Sequence, residues 1–369
     1  MGGDNAPHDV VHGGVEAARA AKGDLEVVMV GDEAIIRQQL QRHFHIQDLH
    51  LSVVHASQAI AMDEAPATAV KQKSDASITV AMRLHKEGKV DAVVSAGNTG
   101  AIMTSALFTL KRMEGIRRPA ITTFLPTEKG RMLLLDVGAN VENKPQDLVQ
   151  FAIMASTYYS SLFDVARPSV GLLNIGHESI KGNEMTQQAY RLLSSSNLNF
   201  IGNVEGGDLL HGAANVVVCD GFVGNVVLKF GESLLSMFTS NLRRLSRKYI
   251  FSQLGAVMMK PTFDGIRKIF DYQEYGGAPM LGVQGICFKA HGRSTPRAIR
   301  NAILAAKKMA DGNINQRIQQ EIQACGALNY NRYCGHTEKF VYSPNYGGVS
   351  CPMNSERNMT LISRSEPSG

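Results

Sequence analysis

A chain of 369 residues with 44% hydrophobic content can bury one large core or two modest lobes, which excludes a stapled mini-fold and a disordered protein. Its formal net charge of +5 is mild, and the excess is concentrated in one stretch rather than spread along the chain. Five cysteines (Cys219, Cys287, Cys325, Cys334 and Cys351), few and odd in number, fit free thiols in a reducing compartment better than a disulfide framework.

Apolar runs such as Val27-Val28-Met29-Val30 fall far short of the roughly 20 residues that cross a bilayer. The start, Met1-Gly2-Gly3-Asp4-Asn5-Ala6-Pro7, lacks the basic region and apolar middle of a secretory signal, so a cytoplasmic protein is expected. From Leu25 to Phe222, short apolar runs ending in Gly, Ser, Asn or Asp alternate with longer amphipathic stretches, the pattern of βα units. Strands are predicted at 25–30, 49–55, 90–94, 120–125, 132–137, 170–175, 200–204 and 216–219. Several, such as Met132-Leu133-Leu134-Leu135, are continuously aliphatic, as suits strands covered on both faces. Helices are predicted at 100–112, 146–163 and 183–194. The fold class that follows is α/β, with a mainly parallel sheet and helices on both faces.

After Asn225 the pattern changes to long helices without strands, one over 225–251 and another over 295–324, the latter opened by Ser294, Thr295 and Pro296. Beyond Cys325 the sequence is rich in Gly, Asn, Ser, Tyr and Pro with no sustained period, so 325–369 is expected to be a mobile tail. Cys325, Cys334, His336 and Cys351 include no C-x2-C knuckle, and carboxylates are scattered, so no metal site is expected.

In a parallel α/β sheet the loops leaving the C-terminal strand ends line the ligand crevice. Gly97, Asn98, Thr99 and Gly100 follow one strand and open a helix, where backbone N–H groups and a hydroxyl can cradle an anion. Asp136 to Asn140 repeats the arrangement. The turn Asn174 to Glu184 brings Lys181, Gly182, Asn183 and Glu184 together, supplying a cation for phosphate oxygens or a thioester carbonyl, although a solvated loop lysine has the same sequence appearance. Asp220, Gly221 and Asn225 close the last strand, and His291 precedes a helix start, where it can donate to an anion, shuttle a proton or be structural. Cys219, at a strand end, reads as a small hydrophobe rather than a nucleophile.

The segment 225–270 is basic and amphipathic. Leu234, Leu235, Met237, Phe238, Leu242 and Leu245 form an apolar stripe, with Arg243, Arg244, Arg247, Lys248, Lys260, Arg267 and Lys268 around it. Such a helix suits an anionic membrane surface, an acidic partner protein or ordinary packing with a solvated basic face. Nucleic acid is not expected, because aromatic residues do not interleave with the basic ones.

Met1 to Pro7, Met62-Asp63-Glu64-Ala65-Pro66 with Ala69-Val70-Lys71, Ser95 to Ala101, Asp136 to Asn140, Asn174 to Glu184, Asn203-Val204-Glu205, Asp220 to Asn225 and Gly276 to Gly282 closely resemble the bacterial phosphate acyltransferase (acyl-ACP:phosphate acyltransferase, PlsX) family, over roughly residues 1–324. The resemblance implies a fold like that of isocitrate and isopropylmalate dehydrogenases, a homodimer and peripheral association with the cytoplasmic membrane. It implies transfer of a fatty acyl group from acyl carrier protein (ACP) to inorganic phosphate, with no cofactor, metal or nucleotide. The acyl phosphate would feed a downstream glycerol-3-phosphate acyltransferase in phospholipid synthesis. On that basis Lys181, His291 and Asp220 are the catalytic candidates. Gly97, Asn98, Thr99, Gly100, Asn140, Gly182, Asn183, Glu184, Gly221 and Asn225 would hold phosphate and substrate. Leu242, Arg243, Arg244, Leu245, Arg247, Lys248, Arg267 and Lys268 would meet the membrane or ACP. The family also carries a short apolar strand ahead of the Gly2-Gly3-Asp4-Asn5 motif, where this sequence starts; losing it would expose a sheet edge at a cost, so a truncated or misassigned start is expected. A metal-dependent dehydrogenase of the same fold would need clustered aspartates and arginines where these loops offer amides and glycines. A non-catalytic membrane adaptor would bind lipid without consuming a thioester.

Overall fold

The computed structural model describes residues 1–246, isolated positions between 247 and 275, and 276–333. Residues Met1–Leu328 form one unit, and of the second, Asn329–Gly369, only the first residues lie within the described part. In chain order the elements are α1 (His8–Ala21), β1 (Val27–Gly31), α2 (Glu33–Leu40), β2 (Leu51–His55), α3 (Pro66–Gln72), α4 (Ser77–Lys86), β3 (Ala92–Ser95), α5 (Thr99–Thr109), β4 (Ala120–Thr127) and β5 (Gly130–Leu135). They continue with α6 (Pro145–Phe163), β6 (Ser169–Asn174), α7 (Glu184–Ser194), β7 (Asn199–Glu205), β8 (Val216–Val218), α8 (Gly221–Ser246), β9 (Ala278–Leu281), β10 (Ile286–Lys289), α9 (Pro296–Asp311) and α10 (Ile314–Tyr333).

Eight strands form one sheet in the order β3-β10-β9-β4-β5-β8-β6-β7, while β1 and β2 pair in parallel by themselves. Continuous apolar sequence marks its centre: all of Met132–Leu135 in β5 and all of β8 are buried, because helices cover both faces. On one face α6, α7, α9 and α10 enclose a core around Phe151, Tyr158, Leu172 and Ile318. On the other, α3, α4 and α5 bury Val70, Met82 and Ile102 against Ile121, Leu134 and Val217.

Four expectations are corrected. Strands do exist after Asn225: β9 and β10 have four residues each, too short for a period to declare itself, and a Gly282–Gly285 turn with both glycines at positive φ joins them. The predicted helix over 295–324 is two helices, α9 and α10, separated at Gly312 and Asn313, the latter at φ 49°. Helix α10 then passes Cys325 and reaches Tyr333, inside the predicted tail, whose remainder lies outside the described residues. Finally, the sheet is mainly parallel as expected, but the turns do not share one rim. β10 runs parallel to β3, but β9 is antiparallel to β10 and to β4, and β4 to β5. Three reversals leave β5, β8, β6 and β7 running opposite to β3 and β10. Turns expected on one rim are therefore divided between two.

Between β1 and β3 lies a cavity of about 580 Å³, lined by Val28 and Val30 on one side, by Ala92 and Val94 on the other, and by Met1. Helix α4 packs against both strands, and the strand edges facing the cavity have no partner strand among the described residues.

Candidate functional site

At the first rim, four distant segments meet where β3 and β10 end. The Asp4 N–H donates to Gly292 O (3.0 Å), and a Cβ on Gly3 would stand 3.0 Å from Ala96 O and 3.4 Å from Gly292 O, so a side chain there would be tight. Asn98 caps α5 by accepting from the Ala101 N–H (3.1 Å), while its amide donates to Met62 O (3.0 Å) and Glu64 O (3.2 Å). Its side chain is thus spent on tying the 61–64 loop to the helix. Gly100 packs directly on Pro66, where a side chain would collide with the ring. The N–H groups of Thr99 and Gly100, in the first turn of α5, find no acceptor among the described residues and remain for a ligand.

His291 is half-buried beside this opening, and its Nδ1 accepts from the Arg293 N–H (3.1 Å), so the neutral ring carries its proton on Nε2. Burial first, then the ammonium groups of Lys289 and Lys229, hold its pKa below the ordinary 6.5, with Glu232 and Asp4 opposing. Lys289, also half-buried, is pushed down from its ordinary value by burial and by Lys229, with Glu232 opposing. Neither lysine was singled out from sequence. The available signals were a charge ending the apolar run Ile286-Cys287-Phe288, and a lysine one helical turn after Asn225.

The second rim is organised by Asp136. Its buried carboxylate accepts from the N–H groups of Ile121 (3.1 Å), Gly138 (3.3 Å), Ala139 (3.0 Å) and Asn140 (2.8 Å) and from the Asn140 amide (2.9 Å). That amide also donates to Pro119 O (2.8 Å), so Asn140, like Asn98, is occupied in shaping its turn. Burial pushes the Asp136 pKa up, against the pull of these donors. Helix α8 starts on this turn: the Gly221 N–H donates to Asn140 O (2.9 Å), Asp220 caps by accepting from the Val223 N–H (2.9 Å), and Gly224 sits against Asp136 O with no room for a Cβ. The exposed Asn225 faces Gly138, at 3.4 Å from the position a Cβ would take there.

Helix α8 joins the two rims. Lys229 lies one turn beyond Asn225, about 6 Å along the axis, on the same side, and it acts electrostatically on Lys289 and His291. Sheet direction separates the turns, and the helix reconnects them.

Lys181, Gly182, Asn183 and Glu184 stand at the end of β6, on the second rim. Lys181 is exposed with Nζ 3.8 Å from Glu178 Oε1, and Asn183 caps α7 by accepting from the Thr186 N–H (2.9 Å). His177 ties this turn to the end of β7, its Nε2 3.6 Å from Glu205 and 3.5 Å from Asp208. The described contacts do not bring Lys181 to His291. Cys219 is buried, with its thiol pushed well above the ordinary range by burial and then by Asp220 and Asp136, so it is not a ready nucleophile. Leu242, Arg243, Arg244 and Leu245 lie on the last turns of α8, whereas Arg247, Lys248, Arg267 and Lys268 lie outside the described residues. Among the described residues no helix is long and apolar enough to cross a membrane.

A family model described as "Fatty acid synthesis protein" matches residues 1–317. A phosphate acyltransferase of Heliobacterium modesticaldum is 49% identical over 322 residues, covering 87% of this chain and 96% of that protein. The chain belongs to the phosphate acyltransferase family. Membership makes it a phosphate acyltransferase, an enzyme of fatty acid synthesis. The phosphate acyltransferase of Thermoanaerobacter pseudethanolicus is 46% identical over 326 residues, covering 88% and 96%. Among solved structures, a phosphotransacetylase from Streptococcus pyogenes matches with a TM-score of 0.56 at 18% identity, covering 82% of this chain and 91% of that one, a likeness of fold.

Proposed function

We propose that this phosphate acyltransferase takes its acyl group from acyl-ACP and releases an acyl phosphate for phospholipid synthesis. The observation that carries the reading is the opening at the first rim, where the Thr99 and Gly100 N–H groups lie unpaired at a helix N-terminus beside Lys289 and His291. A phosphate oxygen attacks the thioester carbonyl, the C–S bond breaks, and the proton carried by phosphate passes to the departing ACP sulfur. His291 donates through Nε2 to the carbonyl oxygen as charge develops there. Attack is direct, without an acyl-enzyme, a reading supported by the buried Cys219 and Cys287 thiols, which burial holds in their neutral form. Asp220, Gly221 and Asn225 shape the adjoining helix start, and Lys181, Gly182, Asn183 and Glu184 supply a second contact to the donor.

The wider proposal has residues 1–324 as the catalytic body, related in architecture to isocitrate and isopropylmalate dehydrogenases and working as a cytoplasmic homodimer. Its α8 stripe of Phe230, Leu234, Met237 and Phe238, all exposed in the chain, together with Arg243 and Arg244, suits contact with an anionic membrane, ACP or a second copy. Proximity to the membrane would pass the product to a glycerol-3-phosphate acyltransferase.

The test is incubation with palmitoyl-ACP and phosphate, without added metal or nucleotide, with acyl phosphate followed by mass spectrometry. Arsenate as competing acceptor should yield free fatty acid instead. Thioester loss that does not depend on phosphate or arsenate overturns the reading. Lys181→Ala should lower turnover about tenfold or more, and unchanged activity removes Lys181 from the site.

A further inference from the structure

We infer that Lys289, with Lys229 beside it, is the cation that seats inorganic phosphate in this site, a role that rests on the phosphate-acylation reading above and names the group that binds its acceptor. Three observations on the coordinates lead there. Lys289 is the last residue of β10, so its side chain leaves the sheet at the rim where the Gly97–Gly100 turn follows β3. Its cross-strand neighbours are Ser95 on β3 and Ala278 on β9, both short, which leaves space beside the ammonium that a larger pair would fill. Ser95 Oγ already accepts from the Gly97 N–H (3.2 Å), so its own proton is available to a ligand.

The third observation is that no carboxylate touches it among the described residues: Glu232 acts on it only from a distance, through space, and is itself paired with Lys229. Among the described residues the Lys289 ammonium makes no hydrogen bond and no ion pair, although it is half-buried. Lys229, by contrast, is held by Glu232 at 2.7 Å. A half-buried ammonium without a partner costs folding free energy, and a second ammonium nearby adds repulsion. A phosphate dianion offers that missing charge, with four oxygens for the Lys289 ammonium, the Ser95 hydroxyl and the two free N–H groups of α5. The unshielded cation is thus matched to a small, doubly charged oxyanion rather than to the acyl chain or to the carrier protein.

The test uses the full chain and its Lys289→Met and Lys229→Met variants. Three quantities are read: KM for phosphate at saturating palmitoyl-ACP, KM for palmitoyl-ACP at saturating phosphate, and binding of inorganic phosphate alone by calorimetry. Lys289→Met should raise the phosphate KM about 10- to 100-fold, the scale of a lost charged hydrogen bond, with the palmitoyl-ACP KM changed less than about twofold. Its thermal midpoint should stay level or rise, because an unpaired buried charge has been removed. Lys229→Met should have the smaller effect on phosphate. A phosphate KM and affinity unchanged in Lys289→Met, in an active wild-type background, overturn the assignment and leave the reaction standing. Equal losses for both substrates with a lowered midpoint also overturn it, since they mark a structural lysine. Should the wild type bind phosphate in a Lys289-dependent way yet consume no thioester, the subsite stands and the reaction falls.

Discussion

Asp136 shows how one buried carboxylate builds a turn. It satisfies four backbone N–H groups and one amide, and two of them, the N–H groups of the buried Ile121 and Asn140, are left buried and unpaired if the carboxylate is removed. Asp136→Ala should therefore lower unfolding free energy by about 3 kcal/mol or more, measured by denaturant titration, and loosen the start of α8. His291 carries a pH signature of opposite origin. Burial, Lys289 and Lys229 depress its folded pKa while Glu232 and Asp4 oppose, so between that lowered value and 6.5 the unfolded chain binds the extra proton. Stability due to this ring is complete above 6.5 and lost as pH falls through the folded value. His291→Gln should flatten that part of the stability profile. An unchanged slope would mean that another group is responsible.

Among elements, the crossing of α1 and α9 depends on Gly13. A Cβ there would lie 2.5 Å from Ile299 Cβ and 2.7 Å from Pro296 O, so the helices touch backbone to side chain. Gly13→Ala should cost about 1–3 kcal/mol through overpacking, seen as a lower thermal midpoint, and Ile299→Ala in the same chain should not restore it, because alanine keeps the Cβ that is struck. Helix α8 has two ends with different physics. Its start is locked to the Asp136 turn by Gly221 and Gly224, whereas further along it Phe230 is 68% exposed and Phe238 61%. Phe230→Glu with Phe238→Glu should abolish sedimentation with anionic vesicles if this face meets lipid. Retained sedimentation, with loss of a dimer in solution, would assign it to a second copy instead.

At the scale of the molecule, the reversals through β9 and β4 determine how the site can work. Because β5, β8, β6 and β7 run opposite to β3 and β10, their glycine-rich turns emerge at the other rim. The Asn174–Glu184 turn therefore stands at the rim opposite to the Gly97–Gly100 turn, while α8 runs from the Asp136 turn to Lys229, which acts on Lys289 and His291. The cavity between β1 and β3 is a further property of the whole, since neither strand pair reveals it alone.

Local rules made much of this legible in advance. Aliphatic runs such as Met132–Leu135 announce buried strands because only an element covered on both faces tolerates them, and Asp220 and Asn183 mark helix starts because a short polar side chain there satisfies a first-turn N–H. The Gly97–Gly100 turn was visible for the same reason, as was His291 near its helix. Strand direction, by contrast, leaves no mark on a four-residue apolar run, since it depends on which distant strand supplies the hydrogen bonds. Only the folded chain could therefore decide which turns share a rim, that the Asn98 and Asn140 amides are consumed in shaping their own turns, and that Lys289 stands half-buried with no carboxylate in contact among the described residues.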